Sequence, residues 1–180
     1  MNPAERILEA LDRHLEGPAR IRLLGGAALI LGYGLNRSTE DADLLADDRE
    51  IDLLISEANF GAALEATNRE LEAEGLYVSH IWAPEQQILT TEWRTSCRSI
   101  DRNWGTGNLR VSVLGPLDLI LSKLCRTDDE DLEDIRHLVR VEGLTRAEIA
   151  AAMKRAVVPE PFRDVFPQNC GKVLGLFEGN

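Results

Sequence analysis

One stretch near the N-terminus, residues 23–45 (LLGGAALILGYGLNRSTEDADLL), constrains the fold most strongly. Its pattern predicts a buried strand that runs into Gly25-Gly26, then a short apolar helix. A polar turn and a second strand, which begins Asp41-Ala42-Asp43, follow the helix. Glycines lack Cβ atoms, so they allow another group to approach the backbone closely. The stretch therefore predicts a strand, helix and strand unit with glycines at one turn and acids at the next.

The acids and the glycines of this unit suggest a specific chemistry. Side chains at positions i and i+2 of a strand leave the same face, so Asp41 and Asp43 would present two carboxylates side by side. Two such charges repel unless a cation lies between them, and hard oxygen ligands suit Mg²⁺. Backbone N–H groups at Gly25 and Gly26 would receive a phosphate at the helix start. Phosphoryl or nucleotidyl transfer needs both features. The alternative is that this D-x-D pair is structural, because acids at strand ends are common at solvated turns.

The rest of the chain predicts an α+β fold, with a small mixed sheet, flanking helices and a helical C-terminal part. Residues 85–108 are the least regular region. We expect two regions, an α/β core at 1–114 and a helical region at 115–180 packed on it as a single compact unit. The further elements predicted, in chain order, are a helix ended by Gly17-Pro18, a helix capped by Ser56 and stopped by Gly75, strands at 76–82 and 109–114, a helix from Pro116, a helix around Ile135, and a helix with the capping box Thr145/Glu148.

Composition narrows the class of protein. The formal net charge of −11 argues against a broad nucleic-acid-binding surface, which needs clustered Lys and Arg. The 3 cysteines are far apart and form no C-x-x-C motif, which is typical of reduced thiols. No signal peptide or bilayer-spanning run is visible, so we expect a cytoplasmic protein without a membrane partner.

The strand, Gly-Gly, Arg-Ser-Thr turn and D-x-D strand resemble the minimal nucleotidyltransferases of the polymerase-beta superfamily. The sequence is most similar to the branch that includes the AbiEii-type and Men-type toxin nucleotidyltransferases and their uncharacterised relatives. In that branch Arg-x-Thr or Arg-x-Ser precedes the D-x-D motif, as Arg37-Ser38-Thr39 does here. A second stretch, residues 115–139 (GPLDLILSKLCRTDDEDLEDIRHLV), resembles a later lysine and acid motif of the same branch. The resemblance covers about residues 20–142 and implies a nucleotidyltransferase-like sheet.

The resemblance implies a role for several residues. Gly25 and Gly26 would hold the triphosphate, Ser38 would add a hydroxyl contact, and Asp41 and Asp43 would ligate Mg²⁺ or Mn²⁺. Lys123 would meet the nucleotide phosphates. The alternative for Lys123, which points off the apolar stripe of its helix, is a lysine that snorkels to solvent.

Other candidate residues keep two interpretations. Arg37 would contact a phosphate or pair with an acid. Asp131 and Asp134 share a helical face, and they are either outer acids of the site or solvated acids near a helix N-terminus. Trp82, Trp93 and Trp104 would stack a base or line the core, and His80 is interpreted as structural or as a surface residue.

Members of the superfamily bring a third carboxylate from a later strand. We expect that strand within residues 85–114, where Glu85, Glu92 and Asp101 are the candidates. Glu92, beside Trp93 in a β-leaning run, is the residue of choice. Without such an acid the protein would be a reduced member or a purely nucleotide-binding member of the superfamily.

Three functional hypotheses follow. The first is an enzyme that transfers NMP from an NTP such as ATP or CTP to a hydroxyl of RNA, tRNA or a protein; the resemblance adds a toxin or phage-defence role with a cognate antitoxin. The second is a catalytically inactive nucleotidyltransferase fold that acts as a nucleotide-binding or protein-interaction module. The third is an interaction domain whose D-x-D pair is structural.

Overall fold

The computed structural model describes residues 2–178 of the chain. These residues form both the α-helices and the β-strands that are expected for an α+β protein. The elements in chain order are α1 (Pro3–His14), β1 (Ala19–Leu24), α2 (Gly25–Tyr33), β2 (Asp41–Leu45), α3 (Asp48–Ala58), α4 (Phe60–Leu71), β3 (Tyr77–Trp82), β4 (Leu89–Thr90), α5 (Trp93–Ser96), β5 (Arg98–Ile100), β6 (Leu109–Val113), α6 (Pro116–Lys123), α7 (Asp129–Glu142), α8 (Arg146–Arg155), β7 (Ala156–Val157) and α9 (Phe166–Gly175). The predicted α+β class is confirmed.

The chain divides into two compact units. The first contains the chain up to Ala83 together with Arg98–Val113, and the second contains Pro84–Cys97 together with the chain from Leu114 onward. Residues 84–97, which we placed in the α/β core from the sequence, therefore group with the C-terminal helices.

A mixed five-stranded sheet with the order β3-β2-β1-β6-β5 forms the centre of the first unit. Strand β1 is antiparallel to β2 and parallel to β6, β2 is parallel to β3, and β5 is antiparallel to β6. Leu23 is in register with both Leu44 and Val113, and all three are buried. Asp43 is in register with Leu24, so its side chain lies on the face of the sheet opposite to that of Leu23 and Leu44.

The helices of the first unit are held by close packing and by local caps. A Cβ atom on Gly32 would lie 2.6 Å from Val113 Cγ2, so this glycine lets α2 lie directly on β6. Helix α1 packs against α4 and begins with a capping box formed by Asn2 and Glu5. The proline of the first turn, Pro3, needs no N–H partner there.

The region after β2 differs from our prediction. We expected one helix capped by Ser56, but two helices occupy it, and Ser56 lies inside α3 with its hydroxyl donating to the carbonyl of Leu53. The capping box of α3 is formed by Asp47 and Glu50, and Asn59, at φ +49°, separates α3 from α4. Asparagine tolerates this left-handed conformation better than most residues, but the one glycine beside it, Gly61, lies inside α4 and does not mark the break.

The loop before β6 is organised by a carboxylate from the other end of the chain. Asp12 of α1 is fully buried and accepts hydrogen bonds from the backbone N–H groups of Gly107 (3.1 Å) and Leu109 (2.7 Å). A buried carboxylate is stable there because these N–H groups replace water. Local sequence pattern cannot reveal a contact of this range.

The second unit contains α5 to α9 and a short antiparallel ladder between β4 and β7. The predicted capping box of Thr145 and Glu148 at the start of α8 is confirmed. Asp118 of α6 is buried and accepts hydrogen bonds from Thr90 and Ser96, which ties the 84–97 segment to this unit. Across residues 2–178, no helix combines the length and the apolar character that crossing a bilayer requires.

Candidate active site

The turn from β1 into α2 brings a helix N-terminus to an acidic side chain. Gly25 has φ +66°, in the left-handed region that favours glycine, and a Cβ atom placed on it would lie 3.2 Å from Asp43 Oδ2. Leu24 precedes the helix and provides no side-chain cap. The N–H groups of the first turn point along the helix axis, where they favour an anion.

Strand β2 presents its two acids on one face, as predicted. Asp41 and Asp43 are half-buried, and they alternate with the buried Ala42 and Leu44. Asp41 Oδ1 accepts a hydrogen bond of 2.9 Å from Thr39 Oγ1. The Asp43 side chain keeps 27% of its surface exposed. Both carboxylates therefore remain accessible while one oxygen of each is engaged by the protein.

Strand β3 supplies the neighbours of Asp43, because a β-bulge places Ser79 and His80 together opposite this residue. Ser79 Oγ donates to Asp43 Oδ1 at 2.7 Å, and Trp82 Nε1 donates to the same oxygen at 3.3 Å. His80 Nδ1 lies 3.5 Å from it. These contacts surround Oδ1, whereas Oδ2 is directed towards Gly25.

The turn before β2 lies over the glycines. A Cβ atom on Gly26 would lie 3.2 Å from Thr39 Oγ1 and 3.4 Å from Arg37 Nη2. The guanidinium of Arg37 is thus at the start of α2, where it adds positive charge for an anion. Ser38, the hydroxyl expected there from the resemblance, is exposed, and Thr39 lies closer to the glycines.

The chemistry of the donor set is compatible with a divalent cation bound together with a phosphate ligand. Within residues 2–178, no group of three or more His, Cys, Asp or Glu side chains could hold a metal ion alone. Mg²⁺ in phosphoryl-transfer sites uses one or two carboxylates and completes its shell with phosphate oxygens and water. Asp41 and Asp43 provide two such carboxylates next to the helix start.

Neither strand that pairs with β2 supplies a third carboxylate. Strand β2 lies between β1 (Ala19–Leu24) and β3 (Tyr77–Trp82), and neither of these strands contains an acid. We expected Glu92 to lie in a strand, but it is exposed at the N-cap of the short helix α5. There it accepts a hydrogen bond from Thr91 Oγ1. The other candidates, Glu85 and Asp101, lie in a 3₁₀ turn and after β5. A catalytic role for Glu92 stays a prediction.

Among the three tryptophans, Trp82 has a hydrogen bond to an acid of β2. Trp82 bonds to Asp43, whereas Trp93 and Trp104 are buried at 7% and 2% exposure. His80, interpreted from the sequence as structural or as a surface residue, is also next to Asp43. Sequence reasoning missed Thr39, Ser79 and His80 as site residues; the i, i+2 spacing of His80 and Trp82 was the available signal.

In the second unit, Lys123 is buried between two acids of α7. Its Nζ lies 2.7 Å from Asp134 Oδ2 and 3.0 Å from Asp131 Oδ1. Lys123 is 8% exposed and both acids are 2% exposed, so neither the snorkelling lysine nor the solvated acids describe them. The contact of Lys123 with nucleotide phosphates stays a prediction.

The charges around Asp131 lower the pKa of its carboxyl group. Burial acts to raise the pKa of Asp131, but hydrogen bonds from Arg126 and Lys123 and their charges outweigh burial and lower the pKa below its ordinary value. Asp131 therefore remains ionised at neutral pH and stabilises the ammonium of Lys123.

The comparisons with known proteins point to one family. A family model described as "Nucleotidyltransferase of unknown function (DUF6036)" matches residues 4–145. Comparison with curated proteins and with solved structures gave no significant match.

Proposed function

Because the chain belongs to this DUF6036 family of nucleotidyltransferases, we propose that it transfers a nucleoside monophosphate from an NTP, such as ATP or CTP, to an acceptor hydroxyl. One observation carries the proposal: the carboxylates of Asp41 and Asp43 share a face of β2, and Asp43 Oδ2 is directed at the glycine that starts α2. A metal-binding pair and a phosphate-binding helix start are thus adjacent within one unit.

The triphosphate would bind at the start of α2. The N–H groups after Gly25 and Gly26 would face its oxygens, and the guanidinium of Arg37, which lies over Gly26, would neutralise part of their charge. Ser38 would add a hydroxyl contact. Lys123 is proposed as a further phosphate contact on the strength of the resemblance.

Asp41 and Asp43 would hold Mg²⁺ or Mn²⁺. Bound there, the cation would lower the pKa of the acceptor hydroxyl and offset charge that develops on the phosphates. The protein's own contribution is orientation: Thr39 holds Asp41, while Ser79 and Trp82 hold Asp43 by Oδ1 and leave Oδ2 for the ligand. The acceptor oxygen would attack the α-phosphorus in line, and pyrophosphate would leave.

Label transfer tests the proposal. The protein is incubated with NTPs labelled at the α-phosphate, Mg²⁺ and either bulk RNA or cell lysate, and the RNA and protein fractions are counted separately. The wild type should label one fraction, and Asp43→Ala should lose the activity by about 100-fold or more, as expected for loss of charge stabilisation in the transition state. Asp52→Ala, which removes an exposed acid of α3, is the matched control and should label normally. Absence of transfer by the wild type with every NTP would contradict the enzyme assignment.

Nucleotide binding without transfer is the second candidate. The observation that favours it is the absence of any acid in β1 and β3, the two strands that adjoin the strand of Asp41 and Asp43. In this case calorimetry would detect Mg²⁺-dependent NTP binding that Asp43→Ala weakens, and no label would appear in either fraction. A wild type with no Mg²⁺-dependent NTP binding would contradict both candidates and favour the interaction domain.

The acceptor and the biological role are further parts of the proposal. The resemblance to toxin enzymes supports a hydroxyl of RNA, notably a tRNA 3′ end, or of a protein, and a toxin controlled by a cognate antitoxin. Induced expression in bacteria should then stop growth, and Asp43→Ala should restore it at equal protein level. Normal growth with a protein that is active in label transfer would contradict the toxin role.

A further inference from the structure

Edge strand β3 carries a row of rings beside the acids of β2. Tyr77 is in register with Asp41, and Trp82 is in register with Leu45. The bulge between them brings His80 opposite Asp43. Rings are scarce in this chain, where Phe, Trp and Tyr make up 5% of the residues, so their position along the acids calls for an explanation.

His80 and Trp82 form a stacked pair. Their ring centroids are 5.0 Å apart and their planes are inclined by 25°, within the range of offset stacking. Trp82 is fixed by its hydrogen bond to Asp43, so the imidazole rests on an immobilised indole. The His80 side chain is nevertheless 64% exposed, which leaves the imidazole open to a further stacking partner.

We propose that His80 and Trp82 form an aromatic platform that binds a nucleobase. A purine or pyrimidine would stack on the exposed imidazole, which is already ordered, so little conformational entropy remains to be lost. The inference rests on the proposed function for its ligand class, and the base belongs either to the NTP or to the terminal nucleotide of an RNA acceptor.

Two simpler roles for His80 account for less. A solvated histidine would also stack on the indole two residues along the strand, but this role does not account for an exposed imidazole beside the acids of β2. A histidine that only balanced the charge of Asp43 would need its Nδ1, 3.5 Å from Oδ1, but not the stacked ring plane. Stacking explains the exposure and the orientation together.

Binding measurements test the platform. The dissociation constants of the wild type, His80→Ala and His80→Phe are measured by calorimetry for three probes: NTP with Mg²⁺, inorganic tripolyphosphate with Mg²⁺, and a short single-stranded RNA. His14→Ala, which removes an imidazole from α1, is the control. We expect His80→Ala to weaken at least one base-bearing probe by about fivefold or more, His80→Phe to stay near the wild type, and tripolyphosphate binding to remain unchanged.

The possible outcomes assign the platform to one ligand or reject it. Loss for NTP assigns the platform to the incoming base, and loss for the oligonucleotide assigns it to the acceptor. Equal affinities of wild type and His80→Ala for both base-bearing probes, or equal losses in His80→Ala and His80→Phe, would overturn the platform; so would a wild type that binds neither base-bearing probe. Failure of the proposed function is recognised separately, by the absence of label transfer and by tripolyphosphate affinity that Asp43→Ala leaves unchanged.

Discussion

At the scale of single residues, the two carboxylate oxygens of Asp43 have different surroundings. Oδ1 accepts hydrogen bonds from Ser79 and Trp82, and Oδ2 faces Gly25. Fixing one oxygen limits rotation of the carboxylate, so the other keeps its direction. The orientation of the proposed metal ligand is therefore determined by strand β3, not by the D-x-D motif itself.

The buried ion pairs of Lys123 lead to a prediction about stability. Lys123→Met should lower the free energy of unfolding by about 3–5 kcal/mol, because Asp131 and Asp134 lose the ammonium that compensates their burial. Lys154→Met, at an exposed position of α8, should change it by less than about 0.5 kcal/mol. Chemical denaturation at pH 7 measures both. Equal stability of the two variants would contradict a structural role for the Lys123 pairs.

Asp131 makes part of this stability dependent on pH. Its pKa is lower in the folded chain than in the unfolded chain, so its contribution is present above the unfolded pKa of about 4 and is lost as pH falls through the lower folded pKa. The difference in unfolding free energy between wild type and Asp131→Asn should be constant from about pH 7 to 5 and shrink below about pH 4. Denaturation curves across this range test it; a difference that grows on acidification would mean that the folded pKa is raised instead.

At the scale of elements, the start of α2 combines a backbone requirement with a steric one. Gly25 and Gly34 both have φ +66°, at the beginning and after the end of this helix. A Cβ atom would approach Asp43 at Gly25, whereas at Gly34 it would meet no atom within 4 Å. The two positions therefore form a natural comparison.

Replacing each glycine by alanine separates the two effects. Both variants should be destabilised by about 1–2 kcal/mol, the cost of a left-handed conformation for a residue with a Cβ atom. Gly25→Ala should also lose label transfer by about tenfold or more, because the methyl group displaces Asp43 Oδ2, while Gly34→Ala should remain active. Thermal unfolding and the transfer assay measure the two effects. Equal activities would show that the Asp43 carboxylate tolerates a shift.

At the scale of the whole molecule, charge limits how a polyanion can bind. With a net charge of −11, the chain repels RNA at long range, so any affinity must come from local contacts such as stacking and the start of α2. The affinity of a short single-stranded RNA should change little between about 50 and 200 mM salt, in contrast to the steep loss expected of a basic groove. Fluorescence anisotropy with an end-labelled RNA measures this. A steep decrease would reveal clustered cationic contacts to phosphate.

The local pattern of the chain was sufficient for much of the fold and for half of the candidate site. Apolar composition and alternation predicted β1, α2, β2 and β3, and alternation placed Asp41 and Asp43 on one face of β2. These features depend on neighbours within about four residues, which periodicity and capping motifs record. The break at Asn59 lacked such a signal, because the residue with the left-handed conformation is an asparagine and the nearby Gly61 lies inside α4.

What the sequence determined by itself is the set of candidate site residues: two acids, a glycine turn and a basic residue. Strand geometry puts the two acids on one face, and the glycines stand at the start of a helix. Only the tertiary structure decided their surroundings. Strand order placed β3 next to β2, and a bulge there set Ser79 and His80 against Asp43. The packing of α6 against α7 placed the ammonium of Lys123 between Asp131 and Asp134. These contacts join residues whose pairing depends on register and packing between separate elements, and a one-dimensional pattern carries no information about either.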